Sequence, residues 1–475
     1  MEAQYTRRYA RRLASLGAHI APSASAGDGG TQPAAWIAKQ LKRLFGSAQE
    51  EQPSTTPEEV EEIPKLFVNP RWASALPQYS GTVHNSVMTT EDVQAALHEV
   101  EKWKGYEPTP LVSLPALATQ FDVGQLACKH EGYRFEPVGS FKPTGVVYAL
   151  AKLLLAEVTR RRSSSTSPGT PAQSSSAADV LLSGAHAELL KDVTVCAATS
   201  GNHGRALAWG AQLFGCRCVI YMGETVSMSR QEAIEGFGAT VIRVNGSYDD
   251  VVARSEADAE TNGYFVISNV AYPDVDVPRL IMHGYAITGA EIASQLCTSD
   301  GAPKPPPTHV FICGGGGRFG AGVTAALWQH YGAKRPRCIL VEPLSSAALQ
   351  ASGIAGAPTA VSPGASVMDG LVVESASKIG YPVLHEAAFA FLAVPDSAAV
   401  AAMRLLAASG LVVGETGIAG WAGFCVAAKD PTIRATLGLD STSRVCVVAT
   451  EGATDPSVYE QIVGMTPEAV LAGPA

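Results

Sequence analysis

The chain has 475 residues, enough for two domains and a substantial core. Its 35 basic and 44 acidic residues leave a net charge of −9 without a basic domain, which argues against nucleic acid as the main partner. No apolar run reaches the ~18 residues a membrane helix needs. The nine cysteines are scattered with no metal-like pairing, so buried thiols and no metal are expected.

Residues 1–65 read as a flexible appendage. Arg7, Arg8, Arg11 and Arg12 crowd the N-terminus, where Glu2 is the one early acid. That pattern suits a mitochondrial transit peptide or a cytosolic tail, and the cytoplasm is the expected location. Ile37, Leu41, Leu44 and Phe45 fall on one face of a short helix over Ala34–Phe45. Glu50–Glu62 is acidic and contains proline, as solvated linkers do.

The globular body begins near Phe67. Thr90 caps a helix running to Trp103, with Val93, Ala96, Leu97 and Val100 at helical spacing. A proline-fixed loop, Gly105–Leu111, and a strand over Val123–His130 lead towards Gly139-Ser-Phe-Lys-Pro-Thr-Gly145. Small residues surround Lys142 there, and Val146–Leu155 is apolar enough for a buried helix. An amine at such a helix start, beside Phe141, is placed to be desolvated and partly neutral, as a Schiff-base nucleophile must be. Arg160–Ala177 is serine-rich and reads as a disordered insertion.

From Val193 the texture becomes strand, loop and helix in repetition. Strands are expected at Val193–Ala197, Arg217–Tyr221, Thr240–Val244, His309–Cys313, Arg337–Val341 and Arg444–Ala449. Helices are expected at Ala206–Phe214, Ser229–Gly236, Ala321–Tyr331 and Ala398–Ser409. The alternation predicts an α/β protein with doubly wound, mostly parallel sheets and a ligand at the carboxyl ends of strands.

Three stretches can carry chemistry besides Lys142. In Thr199-Ser200-Gly201-Asn202-His203-Gly204, serine and backbone amides at a helix start can hold a substrate carboxylate, and Asn202 can bond a phenolic oxygen. A histidine just inside a helix is more often packed than proton-shuttling, so His203 is kept as a carboxylate contact. Gly314–Gly317 follow a strand, where amides without Cβ obstruction can converge on a phosphate. Gly320 and Gly322 exceed what a turn needs. Thr450, after the strand ending at Ala449, offers a neutral hydroxyl to a pyridine nitrogen.

Lysine, then Ser-Gly-Asn-His-Gly, then tetraglycine is the order that resembles fold-type II pyridoxal-phosphate enzymes, the tryptophan synthase β-like superfamily. Within it the chain looks most like diaminopropionate ammonia-lyases. Matching features run from Gly105 to Tyr459. They include Arg134-Phe135, Gly201–Arg205 with Ala208-Trp209, Tyr248-Asp249-Asp250, Gly284-Tyr285-Ala286, Gly414–Gly417 and Thr450-Glu451-Gly452.

The resemblance implies a homodimer that acts on a small amino acid. It implies a large cofactor domain of residues 66–155 and 280–475. The small domain would be residues 156–279, with the insertion at 160–178. By the same resemblance Lys142 carries pyridoxal 5'-phosphate and the Cα proton, with Phe141 beside it. Asn202 meets the phenolic oxygen, Gly314, Gly315, Gly316 and Gly317 the phosphate, and Thr450 the ring nitrogen.

The implied reaction is α,β-elimination through an aminoacrylate to a 2-keto acid and ammonia. Two positions depart from the ammonia-lyases. Ser200 and Asn269 stand where that family carries aspartates, which opens the leaving group to hydroxyl as well as amine. Thr199, Ser200, Gly201, His203 and Asn269 then frame the substrate. A β-replacement enzyme that shares every step to the same intermediate, and a PLP-binding relative without turnover, are the alternatives.

Overall fold

The computed structural model describes residues 63–74, 79, 87–163, 176–199, 201–268, 271–273, 275–296 and 305–473. Most of the N-terminal extension and of the serine-rich insertion lie outside the described residues, as do Ser200 and Asn269. Parallel strands buried on both faces need continuous apolar runs. His309–Cys313 (β8), Ala388–Val394 (β10) and Arg444–Ala449 (β11) supply them, with almost every side chain buried.

Two sheets result. The larger has seven strands in the order β1-β10-β9-β8-β11-β3-β2. Its remaining members are Lys65–Val68 (β1), Leu111–Ser113 (β2), Gln125–His130 (β3) and Arg337–Pro343 (β9). Only the edge strands β1 and β2 run antiparallel to their neighbours. The smaller sheet, β6-β5-β4-β7, is parallel throughout. It comprises Thr194–Ala198 (β4), Arg217–Gly223 (β5), Thr240–Val244 (β6) and Phe265–Val266 (β7).

The lysine helix, Lys142–Ser163 (α1), packs against both Asn202–Phe214 (α2) and Val277–Gln295 (α4). Between those two in sequence lies Met228–Glu235 (α3). Glycine makes the contacts close. A Cβ on Gly284 or Gly145 would overlap the backbone of the facing helix at Thr144 or Ile281. One on Gly210 would lie 2.7 Å from Val147. The chain thus threads one helix between its two layers, and that helix begins at the lysine.

Several boundaries differ from the sequence reading. The lysine helix runs on through Ser163 because Glu157 pairs with Arg160 and Arg161 at one-turn spacing. The insertion's first residues are therefore helical, and Ser176 caps another helix, Ala177–Leu181. The first long helix is Thr90–Val100, capped by Thr89 in a capping box with Asp92. No helix among the described residues is long and apolar enough to cross a membrane.

Candidate active site

The carboxyl ends of β8 and β11 lie side by side, and the loop carrying Lys142 is pinned across them. Phe141 donates its amide to Thr450 O at 3.1 Å, and Gly452 donates to Gly139 O at 3.0 Å. Ser140 and Glu451 form an antiparallel bridge between them. Upstream, Phe135 takes a left-handed φ of 47° and lodges against Trp209 and Trp103, with ring centroids 4.6 and 6.0 Å away. Lys142 is the first residue of α1 and its Nζ sits 4.8 Å from the Phe141 ring and 5.8 Å from Tyr285. Phe319 closes the same aromatic wall, 4.0 Å from Phe141.

Burial, with the Arg318 charge nearby, pulls the Lys142 amine down to about 8. A substantial fraction is then neutral and nucleophilic near physiological pH. Thr450 is buried, and its hydroxyl oxygen accepts from Cys313 Sγ at 3.7 Å. Hydroxyl and thiol thus meet at adjacent strand ends, near the lysine.

Gly314–Gly317 form the turn from β8 into Arg318–Tyr331 (α5). Gly315 and Gly317 have φ of +58° and +87°, which only glycine adopts without strain. The Gly317 amide turns inward to Gly314 O at 3.2 Å. The amides of Gly315, Gly316 and the first turn of α5 remain to face an anion at a helix N-terminus. The helix starts three residues earlier than the sequence indicates. Gly320 and Gly322 serve packing instead: a Cβ at Gly322 would sit 2.9 Å from Met282 O and Ala286 N.

The segment after β4 behaves less as expected. Thr199 Oγ1 accepts from Gly201 N at 3.3 Å, closing the turn on itself. Asn202 begins α2, and its amide donates to Glu451 Oε2 across the cleft between the sheets. His203 Nε2 lies 2.6 Å from Ile267 O, and burial with the Lys142 charge drives the ring down to about 3. The ring is neutral and packed, so its contribution to an anion site is not charge.

Two carboxylates that sequence reasoning left out complete the centre. Glu451 Oε1 accepts from Thr416 N at 2.9 Å and Gly417 N at 3.0 Å. Glu415 Oε1 accepts from Arg230 at 2.9 Å, while its Oε2 is buried with no hydrogen-bond partner among the described residues. Burial and the Glu451 charge push Glu415 up to about 7, and burial raises Glu451 as well. Arg230, on α3 of the small sheet, also reaches Asp369 at 3.0 Å and Asp455 at 3.4 Å. The Thr450-Glu451-Gly452 and Gly414–Gly417 stretches were visible in sequence, but nothing there indicates that their two acids converge.

Lys142, Phe141, Asn202, Gly314–Gly317 and Thr450 are therefore grouped around the adjoining ends of the two sheets. A depressed amine, an anion cradle and a neutral hydroxyl suit a phosphorylated carbonyl compound.

Comparison with known proteins points the same way. A family model described as pyridoxal-phosphate dependent enzyme matches residues 102–451. The diaminopropionate ammonia-lyase of Escherichia coli (strain K12) is 30% identical over 376 residues, covering 76% of this chain and 89% of that protein. The chloroplastic threonine dehydratase 1 (biosynthetic) of Solanum lycopersicum is 27% identical over 333 residues, 68% of this chain and 46% of that protein. A solved structure of the Escherichia coli diaminopropionate ammonia lyase, in complex with an aminoacrylate-PLP azomethine reaction intermediate, is similar with a TM-score of 0.70. It is 28% identical and the match covers 84% of this chain and 97% of that one.

Proposed function

The chain belongs to the pyridoxal-phosphate dependent enzymes, and from that premise we propose that it is a lyase catalysing α,β-elimination on a small β-substituted amino acid. The observation that carries the reading is the half-buried Lys142 amine, set against the Phe141 ring on a loop pinned to Thr450 and held near a pKa of 8. The residues fit the cofactor. A left-handed glycine turn leaves amides for the phosphate, and the Thr450 hydroxyl suits an unprotonated ring nitrogen. Asn202 would meet the phenolic oxygen once it parts from Glu451.

Pyridoxal phosphate supplies an electron sink that acidifies the amino acid's Cα and lets a β substituent leave. Everything else falls to the chain. Lys142 would anchor the cofactor, and its amine would carry the proton removed from the substrate's Cα. Thr450, being neutral, would leave the cofactor's ring nitrogen unprotonated and so favour elimination over transamination. The turn around Ser200, Gly201 and His203 receives the substrate carboxylate, and Thr199 fixes that turn. By the family resemblance, Asn269 would meet the substrate's amino group. Glu415, raised to about 7 and so part-protonated near neutrality, would give a proton to a departing amine or hydroxyl. The freed enamine hydrolyses to a 2-keto acid and ammonia. A homodimer completes the proposal, supported by the family resemblance.

The test is a product assay on the yellow, cofactor-loaded protein. It is given both enantiomers of diaminopropionate, and serine, threonine, 3-hydroxyaspartate and O-acetylserine. Keto acid with one equivalent of ammonia, or with two from diaminopropionate, is the expected result from one of them. A changed cofactor spectrum without keto acid would overturn elimination and point to β-replacement with a second, nucleophilic substrate.

A further inference from the structure

Arg318 is the residue of the site that the reading above leaves unused. It follows Gly317 at the start of α5, and its neighbour Phe319 packs against Phe141, beside Lys142. Its side chain crosses from the large sheet to the loop after β7, where NH1 donates to Ser268 O at 3.4 Å. That loop also supplies Ile267 O, the acceptor of His203. The guanidinium is thus suspended over the cleft between the lysine and the histidine. Its charge is felt there: after burial, it is the next contribution that lowers Lys142, and it depresses His203 as well.

A guanidinium has five N–H donors in a fork suited to carboxylate or phosphate. Among the described residues no carboxylate lies within ion-pair distance of Arg318. The nearby acids are otherwise engaged: Glu415 by Arg230, and Glu451 by Asn202 and two backbone amides. The histidine beside it is neutral. An additional ammonium entering this side of the cleft would meet Lys142 and Arg318 and would be repelled.

We propose that Arg318 receives a second anionic group on the substrate, so that the site selects a β-substituted amino acid with a side-chain carboxylate or phosphate. The proposal rests on the elimination reading and deepens it. For 3-hydroxyaspartate, the Cα–H and Cβ–O bonds break, hydroxide leaves as water, and one water returns in hydrolysis. The net products are one oxaloacetate and one ammonia. For O-phosphoserine, the leaving group is inorganic phosphate and the products are pyruvate and ammonia, with one water consumed.

The experiment is equilibrium binding to the holoenzyme, followed by the cofactor's visible band and separately by the shift in Tm. The ligands are 3-hydroxyaspartate, aspartate, O-phosphoserine, serine, threonine and 2,3-diaminopropionate. The acidic amino acids are expected to bind about 10- to 100-fold more tightly than serine, the range for a hydrogen bond to a charged group. Hydroxyaspartate and aspartate against phosphoserine distinguish carboxylate from phosphate. Arg318→Gln should erase the preference and Arg318→Lys retain part of it, with cofactor content per chain unchanged in both. Tightest binding of diaminopropionate by the unaltered protein overturns the proposal. So does a preference that survives Arg318→Gln, or an Arg318→Gln protein emptied of cofactor, which would assign the arginine to the cofactor's phosphate. Binding without turnover would sink the elimination reading and leave this one standing.

Discussion

The molecule buries two clusters of charge, and they are built on opposite principles. One joins β3 to α4. Glu291 accepts from Arg134 at 2.7 and 2.8 Å, from Lys129 at 2.5 Å and from the Thr109 amide at 3.1 Å. Arg134 also pairs with Glu131 at 2.9 Å, and all four charged side chains are at least 97% buried. Burial alone would raise Glu291, yet Arg134 and Lys129 draw it down to about 2. The other cluster is the site. There Glu415 leaves one oxygen unpaired, Glu451 shares its surroundings, and Lys142 has no carboxylate within ion-pair distance among the described residues. Complete pairing fixes a structure, and incomplete pairing leaves protons free to move.

Substitutions can break that contrast, beginning with the largest effect. Lys142→Ala should abolish turnover and the visible cofactor band together, with little change in the fold, as read by keto-acid release, absorbance and circular dichroism. Turnover surviving in that variant would sink the mechanism. Glu291→Gln should do the converse. It leaves Lys129 and Arg134 buried without their shared partner and costs about 3–5 kcal/mol in urea unfolding. Protein that remains folded should still bind cofactor.

A pH experiment separates the clusters more finely. Glu415 has a folded pKa near 7, above the ordinary carboxylate range, so the folded chain holds a proton that the unfolded chain releases. Its burial therefore destabilises the protein increasingly as pH rises from about 5 to 7, by roughly 2–3 kcal/mol. Glu415→Gln should flatten that part of the apoprotein's stability profile. Glu291, depressed to about 2, behaves oppositely: its stabilisation is present above the normal carboxylate pKa and fades only as pH falls towards 2. The smallest effect is expected at Gly317→Ala, where a left-handed φ of +87° strains any Cβ by about 1–2 kcal/mol. Titration should show cofactor affinity weakened about 5- to 30-fold.

Much of this architecture is legible in the residues themselves. Thr240–Val244, His309–Cys313 and Arg444–Ala449 are strands with the ends the sequence indicates, because each is a compact run of strand-forming residues closed by turn residues. Ala388–Val394 escapes because its apolar run follows directly on the helix Tyr381–Ala387, with no punctuation between them. Helix starts shift where tertiary contact, not propensity, decides them. Lys142 and Arg318 both lie inside their helices because the loops before them are held elsewhere.

The site divides in the same manner. Lys142, Asn202, the glycine turn and Thr450 sit in short motifs that advertise themselves. Glu415 and Arg230 are 185 residues apart, and Asn202 and Glu451 are 249 apart. No local pattern encodes such meetings. Lys129 is a plainer case: a lysine inside an apolar strand looks like a surface residue until Glu291 arrives from a distant helix.

The glycine contact behind the lysine bears on any attempt to make this protein sturdier. In an exposed helix, replacing glycine by alanine gains about 1 kcal/mol, so a designer ranking helical glycines would choose Gly145 and Gly284 early. Both face backbone across the α1–α4 crossing, with no space for a methyl group. Forcing one in would prise the helices apart at the turn that carries Lys142. A gain sought in thermal tolerance would then be taken out of the reacting geometry, where a displacement of about 1 Å can cost 100-fold in rate.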